Sequence, residues 1–186
     1  MKIIEPTIFH DFNDVLKGEE VNISEKRFKD AAFFYEDASN MDENTIMYHV
    51  YMIGPKEKQA GSLNWGLSVL YPVVVNGECN MTRGHWHNQL ECDEIYVGQS
   101  GNGLLMYMDK TGKTWCEKVS AGSVHYISGQ LAHRLINTSD EPLKVICCWP
   151  TSAGHDYQAV EQCPFAYRVL KKENELVFKE VHQNKL

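Results

Sequence analysis

The sequence predicts an all-β fold, an antiparallel sandwich or barrel in one domain. Three observations carry that expectation. Apolar-rich runs of about five to eight residues recur roughly every ten residues from position 45 onward. Turn signals separate the runs. Little of the intervening chain has a helical period. At 186 residues there is enough chain to bury a sizeable core in one unit.

Residues 1–44 have mixed texture and are read as an N-terminal arm of the same domain. Within it, "SEKRFKDAAFFYED" (24–37) suggests a short helix or an irregular, aromatic-anchored segment. Residues 45–186 are read as the β-barrel. "TIMYHVYMI" alternates and is rich in strand formers. "SLNWGLSVLYPVVV", "ECNMTRGHWH", "EIYVGQ", "GLLMYMD", "KTWCEKV", "GSVHYIS", "HRLINT" and "PLKVICCWP" follow. Between them stand Val75-Asn76-Gly77, Gly101-Asn102-Gly103, Lys110-Thr111-Gly112, Ala121-Gly122 and Asp140-Glu141-Pro142. "DYQAVEQC" (156–163) reads as one or two helical turns, and "FAYRVLKKENELVFKEV" as a C-terminal hairpin turning at Glu173-Asn174.

The net charge of −7, with no basic block, argues against nucleic acid and against an anionic membrane surface. A small anion is still admissible, because a bound metal or a few amide donors dominate locally. The N-terminus lacks the features of a signal peptide, and no segment is apolar for long enough to span a bilayer, so a cytoplasmic protein is expected. The six cysteines then read as free thiols. Cys147 and Cys148 are adjacent in a strand-like run and point to opposite faces.

The stretch "GHWHNQLECDEIYVGQSG" (84–101) raises the question of a metal. On a strand, His85 and His87 project together with Trp86 opposite. That pair alone fits a metal site or a polar strand face equally. Glu94 follows at a spacing that suits a short turn and a returning strand, and His133 in "GQLAHRLIN" is a fourth candidate. Three imidazoles and a carboxylate suit one divalent transition ion per chain: Fe²⁺, Mn²⁺, Ni²⁺, Co²⁺ or Zn²⁺. His10, His49, His125 and His182 are not expected to bind metal.

The stretch resembles the first cupin motif: HxH, a glutamate, then six residues and Gly101. Gly122, His133 and Asn137 match the second motif, while Ser128 and Gln130 depart from its proline and glycine and Gly129 remains to supply the turn. The resemblance implies a single cupin, a jelly-roll-like barrel with His85, His87, Glu94 and His133 as metal ligands. Together, "TRGHWH", "EIYV", "AHRLIN" and "GHDY", extending back through "SVLYP" and "YHVY", resemble the cupin-type glucose-6-phosphate isomerases of archaea and some bacteria.

That likeness implies interconversion of glucose 6-phosphate and fructose 6-phosphate by a chain that pairs as a homodimer. It maps phosphate binding to Tyr48, Ser68 (where the family usually has threonine), Thr82 and Gly84. Tyr96, His155 and Tyr157 line the sugar site. Gln158 stands where the family has glycine. Arg83 adds charge beside Gly84, and "AAFFY" is a candidate dimer contact.

The residue chemistry agrees. An enediol route needs a base at the carbon beside a carbonyl, and Glu94 is the best carboxylate for it, although a metal acidifies a carboxylate that binds it. His155 and Tyr96 are further catalytic candidates, His155 moving protons between oxygens or assisting ring opening. Competing readings are a cupin dioxygenase using the same ligands, a non-catalytic sugar-sensing module, and a side activity on mannose 6-phosphate.

Overall fold

The computed structural model describes residues 1–57, 59–173 and 175–181. In chain order the strands are β1 (Ile8–His10), β2 (Leu16–Gly18), β3 (Asn22–Arg27), β4 (Ile46–Ile53), β5 (Leu63–Leu70), β6 (Val74–Val75), β7 (Glu78–Cys79), β8 (Glu94–Ser100), β9 (Gly103–Met108), β10 (Thr114–Val119), β11 (Val124–Ile127), β12 (Ala132–Asn137), β13 (Leu143–Pro150), β14 (Tyr167–Lys172) and β15 (Glu175–Glu180). One α-helix, α1 (Tyr157–Gln162), precedes the last pair, and 3-10 turns cover Phe28–Asp30 and Ala32–Phe34.

A six-stranded antiparallel sheet, β11-β8-β13-β5-β4-β3, forms one wall. A three-stranded sheet, β10-β9-β12, forms the other, and Met81 and His85 extend it by isolated bridges to Ile136 and His133. The two walls face each other as a β-sandwich. Leu70, Val145 and Cys147 from the first wall pack against Leu105, Tyr107 and Leu135 from the second. β9 is buried on both faces, because Leu104, Met106 and Met108 pack outward on Phe34, Val160 and Phe165. That outer layer is closed by the 3-10 turns, α1 and the β15-β14-β7-β6 sheet. A third cluster, Leu67, Val69 and Ile146, lies on the outer face of the large sheet beneath Val15. Each such side chain, fully buried, contributes about 1.5–3 kcal/mol.

The turns follow their residues. Asn76 and Gly77 both have positive φ (47° and 91°), the backbone that a tight hairpin between β6 and β7 requires. Gly101 has φ 78°, and a Cβ there would meet the Pro142 carbonyl oxygen at 2.5 Å. Gly129 takes the role left open by Ser128 and Gln130: a Cβ would lie 2.4 Å from the Cys92 carbonyl oxygen, so only glycine lets the 128–130 turn close on the 88–93 loop. Asn137 is structural. Its amide donates to the carbonyls of Leu70 and Glu141, tying β12 to the turn that follows it.

Of the two readings of residues 24–37, the irregular, aromatic-anchored one holds: β3 runs to Arg27 and pairs with β4, and 3-10 turns follow with Phe28, Phe34 and Tyr35 buried. Two expectations need correction. "ECNMTRGHWH" is not one strand; after β7 only isolated bridges hold it. "AAFFY" does not reserve its aromatics for a partner, since Ala31, Phe34 and Tyr35 are buried in the chain's own core and only Phe33 is exposed. The C-terminal hairpin forms between β14 and β15, with Glu173 at positive φ. Asn174 and His182 lie outside the described residues.

Candidate metal centre and substrate cavity

Two backbone bridges assemble the centre. His85 and His133 exchange N–H···O bonds of 3.2 and 3.1 Å, which sets their rings side by side with centroids 4.4 Å apart. Trp86 and Asp156 do the same at 3.1 and 2.8 Å, which brings "GHDY" against the HxH pair. Alternation then divides the labour. His85 and His87 face inward while Trp86 packs on the outer core. His155 and Tyr157 line the cavity, while the Asp156 carboxylate caps α1 by accepting from Ala159 N at 3.0 Å.

The ligand atoms of His85, His87, Glu94 and His133 all lie within 4.8 Å of one another. Glu94 Oε2 is 3.3 Å from His87 Nε2 and 3.2 Å from His133 Nε2. The His133 contact lacks hydrogen-bond geometry, and His133 Nε2 and His85 Nε2 are both buried without a hydrogen-bond partner among the described residues. Leaving a buried polar atom unsatisfied costs about 1–3 kcal/mol, and a cation at the centre removes that cost for both. The outer nitrogens agree. His87 Nδ1 donates to the Cys92 carbonyl at 2.5 Å and His133 Nδ1 lies 3.4 Å from the Leu131 carbonyl, so each lone pair on Nε2 points inward. Burial, reinforced by the imidazoles of His133, His155 and His87, holds His85 well below the ordinary imidazole range, the neutral form that ligates. Burial alone would raise Glu94, but the neighbouring His133 and His87 outweigh it and keep the carboxyl low. The donor set therefore fits a divalent transition ion.

In front of the centre lies a cavity of about 420 Å³ between the two walls. Its lining includes His85, Glu94, Tyr96, His155 and Tyr157 together with Tyr48, Ser68, Thr82, Arg83 and Gly84. Every residue singled out for substrate or catalysis thus lies on one cavity, while His87 and His133 sit behind its lining. The register explains the convergence: Tyr48 and Val50 on β4 share a face with Ser68, directly across from Val50 on β5. Tyr96 on β8 sits across β13 residue Cys147 from Gly66 on β5. Burial pushes Tyr48 up to about 12, and burial followed by the Glu94 charge raises Tyr96 well above the phenol range, so both hydroxyls remain donors. Thr82 Oγ1 accepts from Leu135 N at 3.0 Å, which leaves its proton free to donate.

The remaining histidines have structural partners. His49 lies between Glu25 and Tyr71, His125 between Glu117 and Ser123, and His10 between Gln99 and Trp65. All six cysteines are free thiols. The sequence reading missed several cavity residues: Asn22, Ser24 and Lys26 on β3, Met52 on β4, Cys147 and Trp149 on β13. For β3, the one available signal was the polar alternation of "NISEK", which is weak by itself.

The sequence profile described as glucose-6-phosphate isomerase (GPI) matches residues 25–185. The glucose-6-phosphate isomerase of Thermococcus kodakarensis is 34% identical over 146 residues, 77% of this chain and 77% of that one. That of Sinorhizobium medicae is 35% identical over 142 residues, 73% of this chain and 66% of the relative. Among solved structures, an oxalate decarboxylase of Bacillus subtilis aligns with TM-score 0.46 at 22% identity over 56% of this chain and 26% of that one, too distant to bear on function.

Proposed function

Because the chain belongs to the glucose-6-phosphate isomerase family and is an aldose–ketose isomerase, we propose that its reaction depends on one divalent metal ion and passes through an enediol. One observation carries the metal dependence. Four ligand atoms converge at the cavity with two buried imidazole nitrogens unsatisfied. Iron(II) is the first choice, and manganese, nickel, cobalt and zinc suit the same donors. When bound, such an ion supplies Lewis acidity to the substrate's oxygens.

The chain's own residues divide the remaining work. Glucose 6-phosphate and fructose 6-phosphate differ by two hydrogens moved between C1 and C2 and their oxygens. Glu94 takes the proton from one carbon and returns it to the other. The carboxyl is buried and kept ionised, and it lines the cavity, which supports this role. His155 passes a proton between the two oxygens and assists ring opening; its ring lies 4.3 Å from that of His85 and stacks on Tyr157. Tyr96 stays protonated and donates to the oxyanion as it develops. Tyr48, Ser68, Thr82 and Gly84 hold the phosphate through hydroxyls and a backbone amide.

Two wider proposals accompany this reading. The enzyme works in the cytoplasm, where six free thiols persist. It forms a homodimer through the outer face of the large sheet, where Ile95, Val124 and Tyr126 are exposed together on β8 and β11. Sedimentation at twice the chain mass is expected; a single-chain mass at micromolar concentration contradicts the dimer. For the reaction itself, fructose 6-phosphate is converted in D₂O. Deuterium at C2 of the product glucose 6-phosphate is the expected result, and turnover with none incorporated under any condition argues for hydride transfer instead.

A further inference from the structure

Arg134 follows the candidate ligand His133 but points to the opposite side of β12, toward the outer core. No carboxylate lies within salt-bridge distance of it among the described residues: the nearby Glu78 is bonded to Arg168 at 2.8 Å, and Glu161 is bonded to Arg83. Its guanidinium sits over the Phe165 ring at 4.3 Å. Among the described residues, Nη1 meets only the thioether of Met81, at 2.9 Å, and Nε is buried with no hydrogen-bond partner. Its guanidinium is a cation at neutral pH. A buried cation without a counter-ion is costly and calls for a compensating anion.

The one strong acceptor it reaches is the Arg83 carbonyl, to which Nη2 donates at 3.0 Å. That carbonyl belongs to the same peptide unit as the Gly84 N–H. Gly84 lines the cavity, and its N–H makes no hydrogen bond among the described residues. Hydrogen bonding a cation to a peptide oxygen polarises the unit and makes its N–H a stronger donor. The geometry also leaves no slack. A Cβ on Gly84 (φ 77°) would sit 3.1 Å from Arg134 Nε and 2.9 Å from Phe165, so the peptide is clamped directly against the guanidinium.

We propose that Arg134 is a positioning residue for the substrate phosphate: from behind the cavity wall it fixes and polarises the Arg83–Gly84 peptide, so that the Gly84 N–H donates to the anion. The counter-ion that the chain withholds from Arg134 is then the phosphate across that peptide. This rests on the reading that Tyr48, Ser68, Thr82 and Gly84 hold the phosphate.

The test uses metal-loaded full-length protein, with inorganic phosphate as the probe in calorimetry and fructose 6-phosphate in steady-state assays. In Arg134→Met, the phosphate Kd and the fructose 6-phosphate KM rise together, roughly tenfold. Metal content stays at the wild-type value and kcat holds within about twofold. Arg134→Gln restores an N–H to the Arg83 carbonyl without the charge and recovers only part of the loss; Arg134→Lys recovers more. Where Arg134→Met does not fold, the Lys and Gln variants decide by the same ranking. Unchanged phosphate affinity in a folded, metal-loaded variant overturns the proposal, as does a fall in kcat with KM unaltered. If wild-type protein isomerises its substrate yet binds no phosphate in competition with it, the phosphate cradle itself is wrong and this inference falls with it.

Discussion

The two parts of the cavity are built on different principles. At the metal part, His85, His87, Glu94 and His133 are four scarce, titratable side chains whose ligand atoms lie within 4.8 Å of each other. They are held by a bridge between two chain segments and by backbone carbonyls behind the imidazoles. At the part proposed to hold the phosphate, Tyr48, Ser68, Thr82 and Gly84 are common residues, and what they offer is position on one cavity. The metal part is specified by residue type, the phosphate part by register. Substitutions at the first should therefore act on the chemical step, and at the second on binding.

The largest effect expected is from His133→Ala, which removes one ligand and leaves the backbone bridge to His85 in place. Metal content and turnover should both collapse, as read by elemental analysis beside the isomerase assay. A variant that keeps full metal and full kcat breaks the distinction at its root. Next is Glu94→Gln, an isosteric change that keeps an oxygen but removes the base. Turnover should fall by roughly 10²–10⁴-fold with the metal retained; full turnover with metal bound sinks the base role. Smaller is Thr82→Val, which deletes a donor while keeping the shape. KM for fructose 6-phosphate should rise by about tenfold with kcat nearly unchanged, and a loss confined to kcat would place Thr82 in the chemistry instead. Gly84→Ala adds strain at φ 77°; a destabilisation of about 1–2 kcal/mol should be visible in denaturant unfolding, together with weaker phosphate binding. The mildest is Lys26→Met, which removes a half-buried cation from the cavity lining opposite Tyr48. A rise in KM of roughly two- to fivefold, shrinking as salt is added, is expected; no dependence on salt would separate Lys26 from the anion.

The same contrast explains what could be read from sequence. The ligands were legible because histidines two apart on a strand, a glutamate beyond a turn and a histidine after a second turn are improbable together without a shared purpose. The fold was legible from recurring strand-like runs, and the turn glycines fall where the backbone has positive φ or a close approach. Lys26 and Asn22 were not legible. Their place on the cavity comes from pairing with Tyr48 and Met52 across an intervening stretch of irregular chain, and nothing local encodes that register. "AAFFY" was misread for a related reason: an apolar run demands burial but does not say against which surface, and Phe34 and Tyr35 found the chain's own core. Arg134 was hidden in "AHRLIN" because only tertiary structure reveals that a cation there has no carboxylate.

One measurement bears most directly on the central claim, that the four converging ligands hold an ion on which isomerisation depends. The purified chain is stripped of metal with a chelator, then titrated with iron(II), manganese(II), nickel(II), cobalt(II) or zinc(II) while fructose 6-phosphate conversion is followed. Activity should vanish on stripping and return with at least one ion, saturating at one equivalent per chain. Undiminished turnover by protein shown to be metal-free would contradict the account.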